Sequence, residues 1–178
     1  EKAGTIARAY LDIPGLLRIA RNAPPWKVDA FPRPTWGYKT FKEPVTIGVI
    51  KDTAFQFYYP DNLDAFETAG ANLVYISPLM DLNLPEIDAL YIGGGFPETH
   101  AEILVEKETF RKKLKFLAES GLPIYAECGG LMYLGEELIL KDKSYPMAGV
   151  LPLKFGLCKR PQGHGYTVIT VEGKNPFY

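Results

Sequence analysis

Cysteine, charge of one sign and long apolar runs are all scarce in this sequence, and each scarcity excludes a class of protein. The 178 residues include two cysteines, too few for a disulfide scaffold, so we expect a reducing cytoplasm. The formal net charge is −1, so no basic field predicts a nucleic acid or an anionic membrane as a partner. No apolar run is long enough to span a bilayer, and no signal peptide is visible.

The composition that remains is that of a globular protein with one main domain. Hydrophobic residues make up 47% of the chain and charged residues 23%. Residues 11–23 predict a helix, because Asp12 can cap it and Pro14 suits a first turn. Residues 24–44 carry five prolines without periodicity, which is typical of a linker. We therefore expect the compact domain to begin near residue 44.

From that point, short apolar runs alternate with amphipathic segments. The pattern predicts strands and helices in alternation, with strands at 45–50, 72–77, 87–95, 123–127, 147–155 and 165–171, and helices at 61–70, 99–121 and 129–139. Such alternation favours an α/β fold of three layers, a mainly parallel sheet with helices on both faces. Ligands of these sheets collect outside the carboxyl ends of the strands, so the strand-end loops are the places to look for chemistry.

One of those loops places a thiol at a tight corner. In PIYAECGGLMYL (123–134), Cys128 directly follows a predicted strand and precedes a predicted helix. The ordinary role of such a cysteine is a small, inert, buried side chain. Against this, the positive end of a helix stabilises an anion, and Gly129 and Gly130 permit the sharp turn of a nucleophile elbow. Backbone N–H groups after the nucleophile can also bind an oxyanion.

The loop after the preceding strand consists of three adjacent glycines, Gly93 to Gly95, followed by FPE. It can be a flexible turn, or a place where the backbone approaches a reacting carbonyl and donates a second N–H group. Together the two loops predict acyl transfer through a thioester on the cysteine.

Several motifs in order resemble one known family. They are DTAFQFYYPDNL (52–63), SPL (77–79), LPEIDALYIGGGFPE (84–98) and PIYAECGGLMYL (123–134). Over roughly residues 45–170, the sequence resembles the glutamine amidotransferase domain of the cobyrinic acid a,c-diamide synthase family. The resemblance implies a class I glutamine amidotransferase-like (flavodoxin-like) fold. A related family that amidates nickel-sirohydrochlorin in the coenzyme F430 pathway shares the motifs, and the choice between the two tetrapyrroles stays open.

The resemblance also implies a division of labour within a larger enzyme. An N-terminal domain, using ATP and Mg²⁺, phosphorylates acetate carboxylates of the tetrapyrrole, and the glutaminase domain releases ammonia from glutamine to displace the phosphate. Carried onto this chain, Cys128 is the nucleophile, and the amides of Gly94, Gly95 and Gly129 are oxyanion candidates. The implied partners are glutamine, the tetrapyrrole and the ATP-binding domain, and we expect neither a cofactor nor a metal in this domain.

Two features of the family pattern are missing. There is no GxxxxGK[ST] phosphate loop, so residues 1–43 are expected to be the tail of an absent ATP-binding domain plus the Pro-rich linker. Residues 44–178 are expected to be a C-terminally truncated amidotransferase domain, because no segment resembles the family's HEFHYS, which holds its catalytic histidine. His100 and His164 are weaker candidates for the base, since one opens a helix and the other lies in a loop.

Two carboxylates close to these loops have competing roles. Because side chains alternate along a strand, Glu127 is expected to point away from Cys128, and a structural role is favoured over a catalytic one. Glu98 is assigned equally to glutamine binding and to capping of the following helix.

The aromatic run after the first strand is the last candidate feature. Phe55, Phe57, Tyr58 and Tyr59 are expected mainly to fill the core and pack the loop, with a wall facing the tetrapyrrole or the other domain as the alternative. Tyr58 and Asn62 are candidates for that contact, and Asp52 is a further polar group beside the run. Cys158 is expected to be an ordinary structural thiol.

Two other functions remain as alternatives. One is a cysteine hydrolase or chaperone with the same elbow, a class in which a glutamate from an earlier strand faces the cysteine. The other is a docking module that keeps the fold but has lost its catalytic pair.

Overall fold

The computed structural model describes residues 2–25 and 43–160, together with residues 162, 165, 166 and 168. The chain divides into two units, Glu1–Gly37 and Tyr38–Tyr178. In the first unit, helix α1 spans Lys2–Tyr10 and helix α2 spans Ile13–Asn22. The Asp12 carboxylate caps α2 by accepting a hydrogen bond of 3.0 Å from the N–H of Gly15. The capped helix was predicted, whereas α1 was not.

The second unit contains the remaining helices and strands of the described residues. They are β1 (Val45–Ile50), β2 (Phe55–Phe57), α3 (Pro60–Thr68), β3 (Ala71–Ile76), β4 (Ala89–Ile92), β5 (Gly94–Gly95), a 3₁₀ turn (Pro97–Thr99), α4 (Ala101–Glu106), α5 (Glu108–Glu119), β6 (Ile124–Ala126), α6 (Gly129–Leu134), β7 (Glu137–Leu140), β8 (Lys143–Pro146) and β9 (Lys154–Gly156).

A parallel sheet of four strands forms the centre, in the order β3-β1-β4-β6. Every neighbouring pair in it is parallel, with Val49 opposite Tyr75 on one side and opposite Tyr91 on the other. The first strand of the chain therefore lies inside the sheet, and the order reverses beside it, as in flavodoxin-like folds. The predicted parallel α/β sheet is confirmed.

Both faces of this sheet are covered, because side chains of a strand alternate between them. On one face, Ile47 and Val49 of β1 pack in a cluster with Leu63 of α3. On the opposite face, Ile50 packs in a larger cluster that includes Leu104 of α4. The larger cluster also takes in buried residues of α5 and α6, so the predicted three-layer arrangement is present.

Two smaller sheets surround the central one. Strand β2 pairs antiparallel with β5, so the chain that follows β1 is joined to the glycines that follow β4. Strand β7 pairs antiparallel with β8 and parallel with β9. The first of these pairings holds two strand-end loops together at the carboxyl edge of the central sheet.

The predicted helix over 99–121 is two helices. Lys107 leaves the helical region, with φ −83° and ψ 49°, and separates α4 from α5. Arg111 compensates for the break, because its guanidinium donates hydrogen bonds to the carbonyls of Leu104 and Val105 at 3.2 and 2.9 Å. No Gly or Pro marks this break, and the sequence pattern therefore missed it.

The predicted helix over 129–139 is shorter than expected. It ends at Leu134 because Gly135 is extended, and residues 137–140 form β7 instead. Within the predicted strand 147–155, only the end is a strand, β9. The predicted strand 165–171 lies largely outside the described residues.

No helix in the described part of the chain is both long and apolar enough to cross a membrane.

Helix α5 provides a matched pair of phenylalanines for testing this packing. Phe110 is 1% exposed and Phe116 is 60% exposed. Phe110→Ala removes a ring from the larger cluster and should lower the free energy of unfolding by about 3–5 kcal/mol. Phe116→Ala should change it by less than about 0.5 kcal/mol, since surface substitutions are mild. Urea unfolding followed by circular dichroism measures both, and equal losses would contradict the packing described here.

Candidate active site

Cys128 lies at the corner between β6 and α6 with a strained backbone. Its φ is 50° and its ψ is −112°, and only three non-glycine residues of the described chain have positive φ. This region is costly for a residue with a side chain and persists where the surroundings enforce it. The side chain is exposed. A strained, exposed thiol between a strand and a helix has the geometry of a nucleophile elbow.

Backbone hydrogen bonds enforce this corner. The N–H of Glu127 donates to the carbonyl of Ile92 at 3.1 Å, and the N–H of Gly130 donates to the carbonyl of Glu127 at 2.8 Å. The carbonyl of Cys128 accepts from Met132 at 3.1 Å, which begins α6. The turn is thus fixed to β4 on one side and to α6 on the other.

The glycine loop lies directly against this corner. A Cβ atom added to Gly94 would lie 3.4 Å from the Cβ of Cys128, and one added to Gly129 would lie 2.8 Å from the carbonyl oxygen of Gly95. At Gly95 itself an added Cβ would lie 2.0 Å from the carbonyl oxygen of Ala54. The glycines therefore allow a close approach of three backbone segments. Gly129 is also the first residue of α6, where an amide N–H has no partner within the helix.

A cavity of about 420 Å³ opens beside the thiol. Its lining residues come from the β2 segment, the glycine loop and the elbow, and they are Gln56, Phe57, Tyr58, Tyr59, Gly94, Glu127 and Cys128. The residues of the aromatic run differ in burial. Phe55 is buried, as expected of core filling, whereas Phe57 and Tyr59 are 52% and 71% exposed and lie outside the core, as the loop-packing part of the prediction allows.

Tyr58 ties the glycine loop to the end of β1. Its hydroxyl donates to the carbonyl of Ile50 and accepts a hydrogen bond of 2.8 Å from the N–H of Gly93. Burial raises the pKa of Tyr58 above its usual range, so the hydroxyl stays protonated and able to donate. Tyr58 therefore has a structural role, through these two hydrogen bonds, as well as a place in the cavity wall.

Glu127 lines the same cavity as Cys128, although strand alternation had predicted that its side chain points away from the thiol. The reason is that β6 ends at Ala126, and the positive φ of Cys128 turns the chain, so strand alternation no longer applies. A structural contact is present as well, because the Tyr91 hydroxyl donates a hydrogen bond of 2.8 Å to Glu127 Oε1.

Tyr91 and Asn62 complete this small network. Burial raises the pKa of Tyr91 to about 12, so its hydroxyl is a permanent donor to the carboxylate. The side chain of Asn62, on α3, moderates that rise in the pKa of Tyr91. Tyr91 was missed from the sequence because a tyrosine in an apolar strand looks like a core residue.

The structure places Glu98 and His100 away from this cavity. Both line a second cavity of about 340 Å³, around the 3₁₀ turn and the start of α4. The His100 ring is held between two hydroxyls, with Nε2 2.9 Å from Thr53 Oγ1 and Nδ1 2.8 Å from Thr99 Oγ1. His164 lies outside the described residues. No histidine is among the described residues that line the cavity beside Cys128.

Asp52 proves to be a structural carboxylate. It accepts hydrogen bonds from the N–H groups of Ala54 and Leu79 at 2.8 and 3.3 Å and from the Ser77 hydroxyl at 2.9 Å. It thereby joins the loop after β1 to the loop after β3. Cys158 is exposed beyond β9, so it is not a buried structural thiol.

In the part of the chain that the structure describes, no group of three or more His, Cys, Asp or Glu side chains could hold a metal ion. The residues around the thiol cavity provide a strained thiol, a neighbouring glycine backbone, a carboxylate and aromatic walls, an arrangement suited to attack on a small acyl compound.

Comparison with known proteins agrees with this arrangement. A cobyrinate a,c-diamide synthase of Archaeoglobus fulgidus is 45% identical over 173 residues, which are 94% of this chain and 36% of that protein. The synthases of Magnetococcus marinus and Methanosphaera stadtmanae are each 40% identical over 99% of this chain and 38% of their own length. This chain thus spans less than two fifths of the length of these relatives.

Residues 46–176 match the model of a CobB/CobQ-like glutamine amidotransferase domain. The matched range contains all of β1 except Val45, together with the glycine loop and the elbow that carries Cys128. The chain belongs to the CobB/CobQ-like glutamine amidotransferase domain family.

Proposed function

We propose that this chain is the glutaminase part of a larger, ATP-dependent amidoligase that amidates the a and c acetate carboxylates of cobyrinic acid. The observation that carries the proposal is the strained thiol of Cys128 beside Gly94, in a cavity the size of a small metabolite. The names of the relatives support cobyrinate as the final acceptor of the ammonia.

In the proposed reaction, the side-chain amide of glutamine enters the cavity and the sulfur of Cys128 attacks its carbonyl carbon. The C–N bond breaks, ammonia leaves with a proton, and a thioester forms between Cys128 and the glutamyl group. Water then adds to the thioester carbonyl, releases glutamate and restores the thiol. The amide of Gly129, together with those of the glycine loop, is proposed to stabilise the oxyanion in both steps. The base that moves these protons is proposed to lie outside the described residues.

The second half of the reaction belongs to the part of the relatives that this chain does not span. There, ATP with Mg²⁺ would activate the carboxylate, and the ammonia made here would displace the phosphate. Residues 1–43 are proposed to lead from that part into the amidotransferase domain, which we place at residues 44–178.

The first test compares the two cysteines, which are both exposed. Because only Cys128 lies on a strained elbow in a cavity, a diazo-ketone analogue of glutamine should modify Cys128 at least about tenfold faster than Cys158, as an oriented bound electrophile reacts faster than a free one. Mass spectrometry of the peptides from a protease digest locates the adduct. Cys158→Ser should leave the labelling intact and Cys128→Ser should abolish it. Adducts mainly on Cys158 would refute the assignment.

The second test separates ammonia release from ammonia use. In the intact protein, Cys128→Ala should abolish amidation of cobyrinic acid with glutamine and leave amidation with ammonium chloride within about twofold of wild type. The residual glutamine-driven rate should fall by at least about 10³-fold, since the covalent route is lost. Product analysis by mass spectrometry with each nitrogen source measures both rates.

Circular dichroism controls for folding of the variant in that test. If both nitrogen sources fail in a folded Cys128→Ala protein, the residue does something other than supply ammonia. If both succeed, Cys128 is not the nucleophile.

A further inference from the structure

The cavity beside Cys128 has one negative wall. Of the described residues that line it, Glu127 alone carries a carboxylate, and none is basic. The others are aromatic or uncharged, so the wall offers an attractive surface to a cation. A ligand that places a positive charge beside Glu127 gains both a charged hydrogen bond and contact with aromatic rings.

The Glu127 carboxylate is oriented within that wall. The Tyr91 hydroxyl donates to Oε1 at 2.8 Å. Tyr91 is itself held by packing, since it is 2% exposed and its ring lies edge-on to that of Tyr58 with centroids 5.1 Å apart. A carboxylate that is fixed through one oxygen, on a residue that lines the cavity, is suited to binding a donor from a ligand.

Glutamine carries such a donor at a short distance from its reacting amide. When its side-chain carbonyl lies at Cys128, its α-ammonium lies at the far end of a short methylene chain. Glu127 is adjacent to Cys128 in sequence and shares its cavity, so one small molecule can contact both residues.

We infer that Glu127 binds the α-ammonium group of glutamine and so makes the site specific for the free amino acid, with Tyr91 as the residue that positions the carboxylate. This inference rests on the proposed glutaminase function, and it assigns a role in recognition to a residue that takes no part in the bond-breaking steps.

A purely structural role for Glu127 makes a different prediction. If the carboxylate only stabilises the elbow through Tyr91, Glu127→Gln should be tolerated, because the amide oxygen of the new side chain still accepts the hydrogen bond from Tyr91. The same change removes the negative charge. Glu127→Gln therefore distinguishes a structural role of Glu127 from a role in binding a cation.

The experiment uses two electrophiles on the intact protein. One is the diazo-ketone analogue of glutamine, and the other is the same molecule without its α-amino group. The measured quantity is the second-order rate of Cys128 modification by each, followed by mass spectrometry, and the ratio of the two rates reports recognition of the ammonium. Because it is a ratio, general damage to the elbow cancels.

Wild type should prefer the amino compound, and Glu127→Gln should lower that preference by about 10- to 100-fold, the range expected for one hydrogen bond to a charged group. Modification by the desamino compound should stay within about twofold. Tyr91→Phe should lower the preference by a smaller factor, since the carboxylate remains but is less well oriented. Glu136→Gln, an exposed carboxylate beyond α6, is the matched control and should leave the preference unchanged.

An unchanged preference in Glu127→Gln, or an equal loss of both rates, would overturn the inference while leaving Cys128 as the nucleophile. If neither compound modifies Cys128 of the wild type faster than Cys158, the proposed function fails first, and the inference with it.

Discussion

The close contact between the backbone of the elbow and the glycine loop is the constraint on which the site depends. Cys128 has a positive φ, which costs about 1–3 kcal/mol in a residue with a side chain. The strained backbone conformation persists because neighbouring contacts hold the turn in place. Gly129 lies so close to the carbonyl of Gly95 that no side chain fits between them, and Glu127 is hydrogen-bonded to β4. The strain therefore persists in the folded protein and keeps the thiol exposed at the corner.

The sheet topology makes this contact possible. Strands β4 and β6 are parallel neighbours, so the loops that follow them emerge side by side at the same edge. Strand β1 lies on the other side of β4, and the segment after it returns as β2 to pair with β5. Tyr58 and Asp52 then fasten these segments to the ends of β1 and β3. The cavity wall is thus built from loops that are bound to the sheet, which suits a site whose groups must be held in place.

Features of the fold and of the site that depend on local sequence were predictable, whereas those that depend on contacts between separate elements were not. Parallel strands, their order of occurrence and the elbow at Cys128 follow from local patterns of apolar residues and glycines, and these were found. The break at Lys107 was not, because it is stabilised by Arg111 from the next helix and leaves no mark in the local sequence.

The place of Glu127 in the cavity lining was missed for a related reason. Strand alternation applies to extended backbone, and β6 ends at Ala126, one residue before Glu127. The partner of its carboxylate, Tyr91, belongs to another strand and could be identified only in the folded chain. Long-range polar contacts of this kind are not encoded in a period of two or of three and a half residues.

The arrangement of charge around the thiol also bears on which amides the site can accept. Glutamine side chains are abundant on protein surfaces, and a cavity with a reactive thiol would be exposed to them. A residue within a polypeptide has a neutral backbone amide where the free amino acid has an ammonium group. A carboxylate beside the thiol gains a charged hydrogen bond with the free amino acid and has no charged partner when a polypeptide glutamine is bound. In the role that we infer for it, Glu127 therefore discriminates against the wrong amide as well as attracting the right one.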